Sequence, residues 1–133
     1  MSQENVEVAK RFVDAFNRRD LNALMDTATP DIAFHPALAS TVDDNSFQGR
    51  EGMRAYFVDG DSAWEEFRLI VDEYRDLGDR VLTLGRLEGR GRGSGAAVDT
   101  PQGGVADIRD GKVSCVRSYL DHGEALRAAG LEE

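Results

Sequence analysis

The sequence predicts an α+β domain in which helices pack on one face of an antiparallel sheet. Apolar residues recur at helical spacing in the first half, and extended segments joined by tight-turn dipeptides fill most of the second half. Helices that precede a strand meander are typical of α+β architectures. The chain has 133 residues, of which 41% are hydrophobic and 31% charged. We therefore expect a single globular domain spanning residues 1–133.

Three helices and one strand are predicted in the first half. Residues 3–18 repeat apolar side chains at helical spacing, and Asp20 is a suitable N-cap for a second helix. Pro30 is expected to end that helix, and residues 31–36 (DIAFHP) read as a short strand. Residues 37–48 are predicted as a loop. A third helix over residues 50–58 places three apolar side chains on one side: Met53, Tyr56 and Phe57.

Four strands and a final helix are predicted in the second half. Residues 64–76 and 80–90 are extended and joined at Leu77-Gly78-Asp79, which is a hairpin signal. Residues 97–109 and 112–120 form a second pair, joined by the tight-turn dipeptide Asp110-Gly111. Asp121 can cap a last helix, and Gly130 stands where a C-terminal glycine belongs. This pattern predicts a four-stranded antiparallel meander.

Charge and cysteine content restrict the possible partners and the cellular compartment. Sixteen basic and 25 acidic residues give a net charge of −9, which opposes binding to nucleic acid and to anionic membranes. Cys115 is the one cysteine, so no intrachain disulfide forms and a reducing compartment is expected. No apolar run approaches the roughly 20 residues of a membrane span, and the first residues lack the basic start of a signal peptide. We therefore expect a cytoplasmic protein.

Two kinds of motif suggest a ligand-binding site, and each has a simpler interpretation. The glycine-rich run at residues 89–95 (GRGRGSG) has the glycine spacing of a dinucleotide site, but an extended segment follows it instead of a helix. A hairpin connection is the favoured interpretation. Asp43-Asp44-Asn45 and Asp59-Gly60-Asp61 are acidic but lack the spacing of a calcium loop, so solvated loops are expected. We expect no metal and no diffusible cofactor.

The order of several short motifs resembles a known family. These motifs are Phe47-Gln48-Gly49-Arg50-Glu51-Gly52, Gly78-Asp79-Arg80-Val81, Ile108-Arg109-Asp110-Gly111-Lys112-Val113 and Tyr119-Leu120-Asp121 followed by Glu124-Ala125-Leu126 and Ala129-Gly130-Leu131. Together they resemble the SnoaL-like branch of the nuclear transport factor 2 superfamily, which includes polyketide cyclases, ketosteroid isomerase and limonene epoxide hydrolase. The resemblance implies a cone-shaped α+β barrel, with a curved antiparallel sheet wrapped by helices around a pocket.

The resemblance also implies a role for His35. In ketosteroid isomerase the residue before the proline at this strand end is an aspartate that moves the substrate proton, and the matching position here is His35. The oxyanion-hole positions of the isomerase match Phe12 and Gly104, whose side chains donate no hydrogen bond. Losing one such donor typically costs about 3–4 kcal/mol, so steroid isomerisation of that kind is not expected.

Whether the chemistry of the other relatives is possible depends on which residues of each strand face the cone. Asp99, Asp107 and Arg117 could supply the Arg-Asp-Asp set that the resemblance implies for an epoxide hydrolase. Even-numbered residues of the last strand are expected to face the cone, which would put Cys115 and Arg117 on the far side. That phase argues against a complete hydrolase set.

From these observations we expect a protein that binds a small apolar organic ligand in the cone, with His35 as its polar or acid/base contact. If the protein is an enzyme, proton transfer of an isomerase or cyclase type is the expected step. The alternative is a non-catalytic dimerisation or protein-binding module whose pocket is filled by its own rings. The predicted ligand contacts are Phe12, Phe16, Phe57, Trp64, Leu87, Val116, Ser118 and Leu120.

A homodimer through the open sheet face is expected as well. We expect the outer face of the sheet to carry an apolar patch that is too large to leave in water. Its residues are Phe67, Leu69, Val71, Val113 and Cys115.

Overall fold

A computed structural model describes residues 2–36 and 46–131, and it has one curved, unclosed six-stranded sheet with four helices. The elements are α1 (Ser2–Arg18), α2 (Leu21–Asp26), β1 (Ala28–His35), β2 (Phe47–Gln48), α3 (Gly49–Ala63), β3 (Trp64–Asp76), β4 (Arg80–Gly91), β5 (Ala97–Arg109), β6 (Lys112–Tyr119) and α4 (His122–Ala128). The strand order across the sheet is β2-β1-β6-β5-β4-β3. The predicted α+β class is confirmed.

The antiparallel meander of β3 to β6 forms as predicted, because its turns are encoded locally. Gly78 has a φ of 94° in the β3–β4 turn, and the Leu77 amide donates to the Arg80 carbonyl at 2.8 Å. In the β5–β6 turn Asp110 and Gly111 have φ of 54° and 78°. Two consecutive residues with positive φ give the turn whose twist matches paired strands.

The edge formed by β1 was not predicted from the sequence. β1 runs parallel to β6, with Phe34 opposite Val116 and His35 opposite Arg117. β2 then pairs antiparallel with β1. This edge joins the first half of the chain to the end of the meander, and its register decides which β1 side chains face inward.

The prediction that Pro30 ends the second helix is wrong. α2 ends at Asp26, where the Thr27 hydroxyl donates to the Leu24 carbonyl at 2.7 Å, and Pro30 is an exposed residue inside β1. Proline donates no hydrogen bond to a ladder, so it is tolerated where pairing is interrupted. The pairing of β1 with β6 shifts register between Ala28 and Ala33, and this interruption accommodates Pro30.

The third helix is longer than predicted. α3 continues to Ala63, so Asp59-Gly60-Asp61 is helical and not a loop. Weak helix propensity there is overridden by a tertiary contact. The Arg92 guanidinium donates to the carbonyls of Asp61 and Trp64 at 2.9 and 3.0 Å, which satisfies carbonyls at the end of α3.

Two further expectations concern segments next to these helices. The predicted loop over residues 37–48 is wrong for Phe47–Gln48, which form β2, while Asp43-Asp44-Asn45 lies outside the described residues. In the glycine-rich run at residues 89–95, the first three residues end β4 and the others lie in its connection to β5, as the hairpin interpretation predicts.

The helices cover both faces of the sheet and not one face. α1, α2 and α3 pack a core around Phe16, Leu24 and Met53 against the concave face. α4 packs Ala125 and Leu126 against the opposite face. The sheet residues under α4 are Leu82, Leu84 and Val105, which alternate with residues that face inward.

The apolar outer patch that motivated the homodimer is not present. Phe67, Leu69 and Val113 face the interior. A register shift between β5 and β6 near Ser114 lets Val113 and Val116 share one face despite their odd spacing. That argument for a dimer is therefore wrong.

Within residues 2–36 and 46–131, none of the helices has the length and apolar character that a bilayer span requires.

Candidate functional site

An apolar cavity lies between the concave face of the sheet and helices α1 and α3. Its volume, measured for the centres of water molecules, is about 60 Å³. A single water needs about 10–15 Å³ by that measure, so the cavity has room for several waters or for a ligand of about one or two rings. The described lining residues are Ala9, Phe12, Val13, Phe16, Phe34, Pro36, Tyr56, Phe67, Leu69, Thr83, Leu87, Gln102, Gly104, Ala106, Val113, Val116 and Ser118.

Aromatic rings form one wall of the cavity. The Tyr56 ring lies 4.9 Å from the Phe34 ring, edge to face, and 5.9 Å from the Phe16 ring, measured between centroids. The Arg19 guanidinium lies 5.6 Å from the Phe16 ring centroid and 5.5 Å from that of Phe67. It also donates to the Phe16 carbonyl at 3.2 Å, which ties the end of α1 to this wall. Packing of this kind holds the rings in place and keeps the wall preformed.

Three uncharged polar side chains interrupt the apolar lining, and we call them the polar patch: Thr83, Gln102 and Ser118. They surround Gly104, which pairs with Thr83 on one side and with Ser118 on the other. A Cβ atom on Gly104 would lie 3.1 Å from Thr83 Oγ1 and 3.6 Å from Gln102 Nε2. The absence of a side chain at this position therefore leaves open space between the polar groups.

Gln102 is the most distinctive member of the polar patch. Its side chain is only 4% exposed, and its Oε1 atom has no hydrogen-bond partner among the described residues. Thr83 is also buried, and its hydroxyl donates to the Gly104 carbonyl at 3.5 Å. Buried polar atoms are almost always paired, so Oε1 is an exception, and the Nε2 atom of the same amide is the one that lies beside the open space at Gly104.

The described cavity wall carries no charge at neutral pH. Tyr56 is its one ionisable residue apart from aliphatic hydroxyls, and burial raises the pKa of its phenol to about 12. Desolvation disfavours the phenolate, so the side chain remains protonated well above neutral pH. The cavity thus presents a neutral surface with hydrogen-bonding groups at the polar patch.

Some of the predicted ligand contacts line the cavity and others do not. Phe57 packs behind Phe16, with ring centroids 6.1 Å apart, and Trp64 packs on Phe67 at 5.1 Å. Leu120 is 37% exposed and does not line the cavity. The predicted contacts that do line it are Phe12, Phe16, Leu87, Val116 and Ser118.

His35 does not line the cavity, so its predicted position is wrong. Phe34 and Pro36, on either side of it, both face inward. Side chains alternate along a strand, which places His35 on the opposite face, beside Arg117. The resemblance matches His35 to the position before the proline, but its side chain does not face the cavity.

The charged residues considered for a hydrolase set also lie outside the cavity. Arg117 forms an ion pair with Asp107 at 3.7 Å, and Asp99 forms one with Arg86 at 3.3 Å. Burial raises the pKa of the Cys115 thiol, which opposes formation of a reactive thiolate. The phase expected for β6, with Val116 and Ser118 inward and Arg117 outward, is confirmed.

Sequence reasoning missed Thr83, Gln102 and Tyr56 as cavity residues. Gln102 is an uncharged polar residue within a strand, between Pro101 and Gly103. Such a residue is informative only once the strand's inward face is known. Thr83 and Gln102 share that face because β4 and β5 pair without a register shift over their full length.

Comparisons with known proteins agree with this geometry. A sequence profile for the SnoaL-like domain matches residues 9–116. Among curated proteins, none matches the chain. Many solved structures do match, at identities that support the fold alone.

Three of these structures illustrate the similarity. An NTF2-like protein of unknown function from Burkholderia pseudomallei K96243 is 22% identical, with 93% of this chain and 95% of that one covered and a TM-score of 0.76. TerC, co-crystallised with polyporic acid, is 20% identical over 96% and 98% of the two chains, with a TM-score of 0.78. A protein of Jannaschia sp. CCS1 named as a SnoaL-like polyketide cyclase is 24% identical over 96% and 92%, with a TM-score of 0.74. With most of its length matched by the family profile, this chain belongs to the SnoaL-like domain family of the NTF2-like fold.

Proposed function

We propose that this protein binds a small, predominantly apolar organic molecule in the cavity between the sheet and helices α1 and α3. The observation that carries the proposal is the unfilled cavity itself. Phe12 and Phe16 form part of its wall without closing it, and the rings of Phe57 and Trp64 pack elsewhere. Protein interiors are otherwise close-packed, and an apolar cavity with a few polar groups is the usual form of a ligand site.

The lining supports an apolar ligand for an energetic reason. Moving apolar surface out of water is favourable by about 25 cal/mol for each Å². The aromatic wall of Phe16, Phe34 and Tyr56 is held in place by ring contacts, so little ordering is required when a ligand enters. TerC, co-crystallised with polyporic acid, is in line with an organic ligand, although that observation concerns TerC.

Proton transfer by His35 is not part of this proposal. A general base has to lie within hydrogen-bond reach of the proton that it removes. His35 is on the other face of β1, and the ionisable group on the described wall, Tyr56, has a pKa of about 12. The geometry therefore supports binding more directly than the isomerase or cyclase step expected from the resemblance.

The alternative of a pocket-filled interaction module has less support. A large ring from Phe12, Phe57 or Trp64 that occupied the cone would favour that hypothesis. Phe12 lines the cavity, and the other two rings lie outside it. A module that acts only through its surface would have no need of this internal space.

Ligand-induced thermal stabilisation tests the proposal. Aromatic hydrocarbons and their substituted forms are screened by a dye-based melting assay, and the freshly purified protein is searched by native mass spectrometry for a bound small molecule. A ligand at about 100 times its dissociation constant stabilises the native state by about 2.7 kcal/mol. For a domain of this size we expect the melting temperature to rise by about 5–11 °C.

A matched pair of variants assigns the effect to the cavity. Val116→Phe places a ring in the cavity, while Val58→Phe makes the same change at a residue of α3 that is 56% exposed. We expect Val116→Phe to abolish the ligand-induced shift and Val58→Phe to preserve it. The absence of a shift for every compound with the wild type, or equal shifts in both variants, would contradict the proposal.

A further inference from the structure

We propose that Gln102 determines which ligands the cavity accepts, by donating a hydrogen bond from Nε2 to a neutral acceptor atom, such as a carbonyl oxygen, on an otherwise apolar molecule. The inference rests on the proposed function, since it names the class of ligand for the same cavity. It goes further by assigning the polar contact to one atom of one residue. It also separates ligands that carry an acceptor from hydrocarbons and from ligands that carry only a donor.

The two ends of the Gln102 amide lie in different surroundings. Oε1 is buried away from the cavity, so no occupant reaches it. Nε2 lies 3.6 Å from the position that a Cβ atom on Gly104 would take, and glycine leaves that position open. Both residues line the cavity, and Gln102 keeps 4% of its surface exposed. The donor end of the amide is therefore the end that a ligand can contact.

The hydrogens of Nε2 are not used within the described part of the protein. The Gln102 side chain forms no hydrogen bond with any described residue. The neighbouring hydroxyl, that of Thr83, directs its own hydrogen to the Gly104 carbonyl at 3.5 Å. An unpaired buried N–H group costs free energy, so an acceptor on the ligand would gain a hydrogen bond that the protein does not supply.

A second hydroxyl lies on the other side of Gly104. Ser118 of β6 pairs with Gly104 and lines the cavity. A carbonyl oxygen has two lone pairs, so it can accept from the amide and from a hydroxyl together. The hydrogen of a donor-only ligand would meet only hydroxyl oxygens, because Oε1 is out of reach. The polar patch is therefore better suited to an acceptor than to a donor.

The acceptor is expected to be uncharged. No lysine or arginine belongs to the described lining, so a carboxylate in the cavity would have no counter-charge. The Arg19 guanidinium lies over the rings of Phe16 and Phe67 and donates to the Phe16 carbonyl, so it is engaged on the wall itself. These features favour a ketone, aldehyde, ester or ether over a carboxylic acid.

Two pairs of bicyclic probes test the inference by isothermal titration calorimetry. 1-Indanone and 1-methyleneindane have the same shape, but only the ketone has an acceptor. Burial of a carbonyl without a donor is unfavourable, so a lining that offers none should prefer the methylene compound by about tenfold or more. With the wild type we expect 1-indanone to bind at least as tightly. Indole and indene differ by a donor only, and we expect indole to gain no advantage.

Two variants with the same chemical change locate the donor. Gln102→Met replaces the amide with a chain of similar length that has no N–H group, and Gln48→Met makes that change at an exposed residue of β2. We expect Gln102→Met to bind 1-indanone about tenfold or more less tightly while its affinity for 1-methyleneindane stays within about twofold. Gln48→Met should bind both probes as the wild type does.

Infrared spectroscopy of the wild type gives a measurement that needs no variant. A hydrogen bond lowers the carbonyl stretching frequency of bound, carbon-13-labelled 1-indanone below its value in hexane. A frequency equal to that in hexane, or tighter binding of 1-methyleneindane than of 1-indanone by the wild type, would overturn the inference and leave the proposed function standing. An unchanged preference in Gln102→Met, or an advantage of indole that this variant removes, would overturn the donor role of Nε2. No binding of any probe would contradict the proposed function and, with it, this inference.

Discussion

The residues on either side of His35 make its position testable in solution. Because Phe34 and Pro36 face the cavity and His35 does not, His35→Ala should leave the ligand-induced rise in melting temperature unchanged within about 1 °C. Phe34→Leu, one residue earlier on the cavity wall, should alter that shift. Thermal melts with a bound aromatic compound check both variants. If His35→Ala removed the shift selectively for ligands with polar groups, the imidazole would have to reach the cavity, contrary to the register of β1.

The buried phenol of Tyr56 predicts how the stability of the protein depends on pH. Burial raises the pKa of its phenol to about 12, compared with the ordinary value of 10.0. Between these values the unfolded chain loses the phenolic proton and the folded chain keeps it, so this contribution to stability is complete below pH 10 and is lost as the pH rises towards 12. The loss should reach about 2–3 kcal/mol.

Urea unfolding at several pH values between 9 and 11.5 measures this effect. The wild type should lose stability more steeply with pH than Tyr56→Phe, and the difference between the two slopes isolates Tyr56 from the other tyrosines. Parallel curves for the two proteins would mean that the phenol is hydrated in the folded state.

The position of the polar patch could not be read from the sequence, although several of its neighbours could. Phe12, Phe16 and Ser118 line the cavity because helical spacing and simple alternation along β6 fix their direction, while their contact with a ligand stays a prediction. His35 was misplaced because the inward face of β1 depends on a parallel pairing with β6, more than 75 residues away in the chain. Gln102 was missed because the inward face of β5 follows from its pairing with neighbours and not from its own pattern.

In β4, the position of Gly85 has no room for a side chain. A Cβ atom on Gly85 would lie 1.9 Å from the Ile70 carbonyl oxygen and 2.8 Å from the Val71 Cα, where β3 shifts register. These are backbone atoms, which cannot move aside without disrupting the β3–β4 pairing. Gly85→Ala should therefore destabilise the protein by about 3 kcal/mol or more.

Gly60→Ala is the matched control for this prediction. Gly60 lies inside α3, and a Cβ atom there would meet nothing within 4 Å. Alanine is the better helix former, so this variant should gain about 0.5–1 kcal/mol. Chemical denaturation of the two variants gives the comparison, and equal effects would contradict the assigned register of β3 and β4.

The elements that were predicted well are those whose signals are local. The hairpins at Leu77-Gly78-Asp79 and Asp110-Gly111 need only a few residues in the right order, and both form. The continuation of α3 through Gly60 depends on Arg92, which is distant in sequence. The helix α4 covers the opposite face because Leu82, Leu84 and Val105 of β4 and β5 point to that face. Such contacts link segments that are far apart in sequence, so no window of residues contains them.

At the scale of the whole molecule, the homodimer stays a prediction, and the charged part of the outer face is the surface that could support it. Outside the area covered by α4, three cross-strand rows of the outer face carry charged side chains of both signs. Asp72 acts electrostatically on Arg86 beside them, so this area carries about one net negative charge in a chain whose net charge is −9, and the rows themselves hold three arginines and three carboxylates. These residues are Glu66, Arg68, Arg86, Glu88, Arg90 and Asp99.

We propose that the homodimer uses this area of nearly balanced charge on the outer face. Two chains of charge −9 repel less where the local charges nearly balance, and a twofold axis can bring arginines of one copy to carboxylates of the other. Arg68→Glu changes the local charge by two units and should weaken the dimer. Arg54→Glu makes the same change at an exposed residue of α3 and should leave it intact.

Sedimentation velocity at micromolar concentration measures the association of all three proteins. We expect the wild type and Arg54→Glu to sediment as dimers and Arg68→Glu to shift towards monomer, by about tenfold or more in dissociation constant, because like charges placed across an interface cost at least one to two kcal/mol. A monomeric wild type would contradict the homodimer itself. A dimer that Arg54→Glu weakens as much as Arg68→Glu would place the contact elsewhere, or would show that total charge and not this face controls association.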